Sequence, residues 1–196
     1  MIREIEVRRS IRKFSSAAIP DDSILQIIQA GAKAPSAKNR QPWKFVIVKG
    51  DSKAGMLVAF RNGLEQEKLG NGLLSNSKQH IAGAEYTMDI MRQAPVTIFV
   101  LNTEGKGLFQ ALTSEEKVYD IANTQSIGAA VQNMLLAATE IGIGSLWICD
   151  VFFAYKELTQ WLSENGEMIA AISFGYPLES PNERPRKKLP DILTWR

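Results

Sequence analysis

Residues 115–141 constrain this chain more than any other segment. Ile127, Ala130, Val131, Met134, Leu135, Ala138 and Ile141 recur at helical spacing. The face they form is so wide that the predicted helix is apolar on most of its girth. Such a helix does not lie on a surface with one side in water. It must be central, or meet a second copy of the chain. Gly142 and Gly144 end it.

Other periodicities supply what packs on it. KFVIVK (44–49), PVTIFVLN (95–102), SLWIC (145–149) and EMIAAISF (167–174) are β-branched or apolar runs and read as strands. Pro20-Asp21-Asp22-Ser23 starts a helix, with carboxylates where the dipole favours them. Ile24, Ile27, Ile28 and Gly31 continue it, and Pro35 stops it. Shorter helices are predicted over 2–9, 51–60 and 153–163. Residues 61–93 mix helical stretches with Gly and Asn breaks and read as an excursion with a mobile part, the kind of segment that carries specificity. The order predicts an α+β fold in which a mixed sheet of about four strands is wrapped by helices. One domain spans 1–196, with an excursion at about 61–118 and a basic tail from about 176.

The 196 residues carry 23 basic and 21 acidic side chains, a net charge of +2. No global field for nucleic acid follows, and no basic–aromatic interleaving appears. The charge is local. Residues 1–14 hold five basic and two acidic residues, and ERPRKK (183–188) holds four and one, so the middle of the chain is slightly acidic. The single Cys149 excludes an internal disulfide. No signal-peptide core or membrane-spanning run is present, which predicts a cytoplasmic protein without membrane contact.

Familiar catalytic motifs are missing. No GxGxxG follows a strand, and there is no P-loop, CxxC, HExxH, EF-hand loop or GxSxG. The lone His80 cannot build a zinc site and reads as an ordinary surface or packing histidine.

Two stretches remain. In RRSIRKF (8–14), arginine forks and a serine hydroxyl match a phosphate monoester. Arg8, Ser10 and Arg12 alternate, so an extended chain puts them on one side, with Arg9 opposite unless the chain turns there. The same stretch also reads as a solvated basic face. In APSAKNRQPW (34–43), prolines stiffen a loop whose Ser36, Asn39 and Gln41 offer hydrogen bonds. It suits a rigid polar rim, or a plain helix-to-strand connection with a packed Trp43.

RRSIR followed after one helix by APSxxNxQPW resembles the nitroreductase family of FMN-dependent oxidoreductases. QNMLLAATEIGIGSLWI (132–148) is similar to that family's long helix and next strand, and Gly175-Tyr176-Pro177 before RPRKK is similar to its usual end. The resemblance covers most of the chain outside about 60–118. It implies a homodimer with FMN at the interface. Arg8, Arg9, Ser10 and Arg12 would hold the phosphate and ribityl chain. Pro35, Ser36, Ala37 and Asn39 would come from the other subunit. Backbone groups of Leu146, Trp147 and Ile148 would lie against the isoalloxazine, and Arg186 with Arg184 would return from the tail to the phosphate. It implies ping-pong transfer of hydride from NADH or NADPH, through flavin N5, to a small acceptor such as a nitroaromatic, quinone or activated alkene. The flavin carries the chemistry, which agrees with the lack of an acid–base pair. The family also holds members that dehalogenate or that break flavin down. A flavin-binding sensor or carrier without turnover would need the same phosphate motif. At Cys149 the family commonly has glycine, and the expectation is that this thiol packs into the core.

Overall fold

The computed structural model describes residues 1–196. Four strands form one sheet: β1 (Trp43–Lys49), β2 (Val96–Asn102), β3 (Gly144–Ile148) and β4 (Glu167–Gly175), in the order β1-β2-β4-β3. All three strand pairs are antiparallel. The parallel part of the expected mixed sheet is therefore confined to one bridge, Ser10 with Ser145, on the outer edge of β3. The physical reason is the strand order: β2 and β3 run in the same sense but β4 lies antiparallel between them, and only the N-terminal segment enters parallel to a neighbouring strand.

β2 is buried at every position, as its unbroken apolar run demands of a central strand. Its side chains alternate between two cores. Phe99 and Leu101 face a cluster built with α3 (Ser52–Leu69), α4 (Ile81–Gln93) and α6 (Tyr155–Leu162). Val96, Ile98 and Val100 face a second cluster built with α2 (Asp21–Ala32) and α5 (Ser114–Glu140). The sheet is thus a middle layer between two helical ones.

α5 runs for 27 residues, about 40 Å at 1.5 Å per residue. Ile127, Val131 and Met134 are fully buried, as the sequence predicts. Its first half differs, since Val118 and Ile121 are more than half exposed. A capping box starts the helix. Thr113 Oγ1 accepts from the Glu116 N–H at 3.2 Å, and Glu116 Oε2 accepts from the Thr113 N–H at 2.7 Å. Hydrogen bonds from Lys106, and then from the Thr113 backbone and side chain, hold the Glu116 carboxyl down at about 2. Thr113→Ala should lower stability by about 1 kcal/mol, read as a shift of the urea midpoint at constant slope.

Several predicted boundaries move. The first helix, α1 (Arg3–Val7), is shorter than 2–9 and buries no residue. α3 does not stop at 60 but continues to Leu69, where Gly70 closes it in the left-handed conformation. The expected excursion therefore begins inside a helix. A 3-10 turn at Ser75–His80 leads into α4, whose Ala84, Ile90 and Met91 are core residues. Residues 150–154 form a 3-10 turn ahead of α6.

Candidate functional site

The N-terminal segment leaves α1 and runs along the edge of β3. Ser10 bridges Ser145, and the Ile11 N–H donates to the Ser145 carbonyl at 2.9 Å. Ile11 and Phe14 turn into the core. Their burial fixes the segment, and Arg12 between them faces a cavity of about 320 Å³. The tail closes the same cavity. Phe14 bridges Pro177, the Ser15 N–H reaches the Tyr176 carbonyl, and the Leu178 N–H reaches the Lys13 carbonyl.

Arg8, Arg9, Ser10, Arg12, Arg184 and Arg186 all line this cavity. The two basic ends converge, then, on one place. Arg9 joins them instead of pointing away, because the chain turns at Arg8, the residue that ends α1. Its guanidinium donates to the carbonyls of Glu6 and Arg8. Arg12 donates to the Ser10 carbonyl at 3.2 Å. Five arginines face one lining carboxylate, Glu183, which stands 3.8 Å from Arg9. Burial, and then the charges of Arg186 and Arg9, push the Arg8 guanidinium below its usual value. Cations crowded this way lack a counter-ion, and a phosphate dianion supplies one in bidentate geometry.

The sequence reading missed two tail carboxylates. Glu183 pairs with Arg9, and Glu179 accepts the Arg12 backbone N–H. Glu183 had a signal, its place beside Arg184 and Arg186, whereas Glu179 stands among uncharged residues and had none.

β3 adds a second component. Leu146 and Ile148 are buried, whereas Trp147 is 40% exposed. Past the Ser10 bridge the outer edge of β3 has no partner strand, so its backbone donors and acceptors are open beside the arginines. Cys149 corrects an expectation. It is exposed rather than packed in the core, because β3 ends at Ile148 and the chain turns there. Burial of its sulfur and the neighbouring Asp150 push the thiol pKa up, which disfavours the reactive thiolate. Cys149 and Asp150 line a cavity of about 560 Å³ with His80 and Gly83.

The loop of Pro35, Ser36, Ala37 and Asn39 lies elsewhere. Lys38, Asn39 and Gln41 all have φ between 52° and 55°, left-handed values that are strained for residues with a side chain. Ser36 holds the loop by accepting from the Gln41 N–H at 3.0 Å, and the Ala37 N–H donates to Ser126 Oγ at 3.2 Å. Ser126 sits near the middle of α5, whereas Thr139, thirteen residues on, borders the opening beside Arg8 and Arg9. That separation is about 20 Å along the helix axis. One copy of the chain does not bring the loop and the arginines together.

Next to this loop, a cavity of about 430 Å³ is lined by Arg40, Glu104, Tyr119, Asp120 and Asn123, among others. The Arg40 guanidinium stacks 4.3 Å from the Tyr119 ring centroid. Behind Asp120, Glu167 is buried at the start of β4. Burial first, and the Asp120 charge second, raise its carboxyl above the ordinary 4.5. Between the ordinary value and this raised one, the folded chain holds a proton that the unfolded chain has released. Stability therefore falls as pH rises through that window and does not recover above it. Glu167→Gln should flatten this fall in a Tm series taken from pH 4.5 upward.

A model of the nitroreductase family matches residues 5–176. The chain belongs to the nitroreductase family. Among nitroreductase-family relatives, the assigned NAD(P)H nitroreductase YfhC of Bacillus subtilis is 28% identical over 195 residues, covering 97% of this chain and 91% of that protein. The 5,6-dimethylbenzimidazole synthase of Rhodospirillum rubrum is 27% identical over 198 residues, covering 96% and 85%. An assigned nitroreductase from Desulfovibrio desulfuricans, solved in complex with FMN, superimposes with a TM-score of 0.73 at 27% identity, over 100% of this chain and 95% of that one. No helix of this family member is long and apolar enough to cross a membrane.

Proposed function

We propose that this chain is an FMN-dependent NAD(P)H oxidoreductase acting on a small acceptor. The observation that carries the reading is the convergence of five arginines from both ends of the chain on one cavity beside an open strand edge. The residues fit FMN. Arg8, Arg9, Arg12, Arg184 and Arg186, with the Ser10 hydroxyl, would hold its phosphate, and the backbone of Leu146, Trp147 and Ile148 would present hydrogen-bonding groups to its ring. The FMN of the D. desulfuricans structure and the NAD(P)H in the name of the B. subtilis relative support the same cofactor and donor. When bound, FMN supplies hydride chemistry, accepting at N5 from NAD(P)H and passing to a nitroaromatic, quinone or activated alkene in alternating half-reactions.

The site is shared between two copies. The strained loop of Pro35, Ser36, Ala37 and Asn39 would come from the second copy, since one chain holds it about 20 Å from the arginines. The exposed Val118 and Ile121 on α5 support such a dimer. The cavity at Cys149 and His80 draws Leu74, Ser77 and Gln79 from the segment between α3 and α4, and Gly83 from α4, within the part read as setting the acceptor. A nicotinamide donor and a single domain suit work in the cytoplasm.

The test is a visible spectrum of the purified protein, taken without oxygen, before and after NADPH and then NADH. An oxidised-flavin spectrum that bleaches supports both cofactor and donor. Bound flavin that never bleaches favours a sensor or carrier. A colourless protein that takes up no FMN overturns the reading, and a monomer that binds FMN overturns the shared site.

A further inference from the structure

We infer that the cleft between the end of α3 and the start of α6 is a binding site for a small organic ammonium ion. The cleft is separate from the arginine cavity and shares none of its residues. Its volume of about 370 Å³ lies in the lower range of small-molecule sites. Glu67 lies at its floor, 1% exposed. One carboxylate oxygen accepts the Leu74 N–H at 2.8 Å, and the other is buried without any partner. Glu157 lines the same cleft, and neither carboxylate takes part in any ion pair of the protein. A buried carboxylate with a free oxygen is costly unless something pairs with it.

The walls fit a cation with an apolar body. Phe109 and Tyr155 line the cleft and meet edge to face, with centroids 6.0 Å apart, and aromatic faces attract an ammonium group. Burial and the charge of Glu167 raise the Tyr155 hydroxyl, so it stays neutral. The exposed Lys156 also borders the cleft. Two carboxylates against one lysine leave an excess of one negative charge, which selects a monocation. The Gly72 backbone packs against this carboxylate, where a Cβ would stand 2.1–2.4 Å from the Glu67 carboxylate atoms. The free oxygen is an acceptor only. The ligand must therefore bring an N–H, as a primary ammonium does and a quaternary ammonium does not.

The inference stands apart from the flavin reading and is tested by binding, not activity. Benzylammonium is titrated calorimetrically into the full chain as purified, with benzyl alcohol as the neutral analogue and benzyltrimethylammonium as the cation without N–H. Benzylammonium should bind at least about tenfold more tightly than either, a charge-assisted hydrogen bond being worth about 1.5–3 kcal/mol. Glu67→Gln should remove that preference. Glu157→Gln, on a half-buried position that folding tolerates, should weaken benzylammonium several-fold and leave benzyl alcohol unchanged. Equal binding of all three probes, no binding of benzylammonium, or Glu157→Gln and a folded Glu67→Gln that both bind as the parent does, would overturn the assignment.

Discussion

Arg12→Ala protein comes off the column with about a tenth or less of the parent's flavin. On the proposed reading the substitution removes one arginine partner of the phosphate, together with the bond from Arg12 to the Ser10 carbonyl. The Arg12 backbone N–H keeps its carboxylate acceptor, Glu179, so the segment stays in place. The flanking Ile11 and Phe14 keep their burial. What disappears is a charge-assisted contact worth about 1.5–3 kcal/mol, or about 10- to 100-fold in affinity. Arg12→Lys should fall between the two, because it keeps the charge and loses the planar fork. The ratio of flavin to protein absorbance, followed by titration of free FMN, measures both. Full occupancy in Arg12→Ala would remove the phosphate from this cavity. The apo protein offers a companion sign. Arg8 is crowded by Arg186 and Arg9, so inorganic phosphate should raise the apo Tm, and should raise it less in Arg8→Gln.

Gly63→Ala unfolds more easily than the parent by about 2 kcal/mol or more. Helix propensity alone predicts the reverse, a gain of about 1 kcal/mol for alanine over glycine in a helix interior. Space decides the sign. A Cβ on Gly63 would stand 2.3 Å from both Cα and Cβ of Ala154, whereas carbons rest about 3.5–4.0 Å apart. The obstacle is backbone, so no rotamer change relieves it. α3 and the 3-10 turn at 150–154 must separate, opening the contacts around the buried Phe60 and Leu64. For a chain of this length the loss corresponds to about 4–8 °C in Tm. Gly83→Ala is the matched control. It lies in α4 with nothing within 4 Å of the added methyl, and should be neutral or stabilising by up to about 1 kcal/mol.

That glycine also shows where the sequence stopped being readable. The strands and α5 were legible because their signals are local: alternation, β-branching and a run of apolar residues at helical spacing. α3 was cut at 60 because Gly63 reads as a breaker. The reason for a glycine there is Ala154, ninety-one residues away, and no local pattern carries that. Cys149 was assigned to the core because free cysteine packs as a small apolar residue, and the end of β3 at Ile148 decided otherwise. The convergence of residues 8–12 with Arg184 and Arg186 was legible only through a family resemblance, since the two ends share no periodicity. Arg9 was left open by alternation and settled by the turn at Arg8. Glu67 gave no signal at all, because an acidic residue near a helix end usually faces water.

The arginine cavity has a consequence for how the chain matures. Synthesis runs from the N terminus, yet half of the cavity wall, residues 181–186, follows the last strand, which ends at Gly175. A nascent chain released as far as Gly175 has every strand of its sheet and no phosphate cradle. On the proposed reading, cofactor capture is post-translational, and it waits for Phe14 to meet Pro177 across the two ends of the polypeptide. On that reading, a chain that has lost residues 181–186 lacks five residues of the cavity wall and should be colourless. Flavin retention on this protein is a readout of C-terminal integrity as much as of affinity.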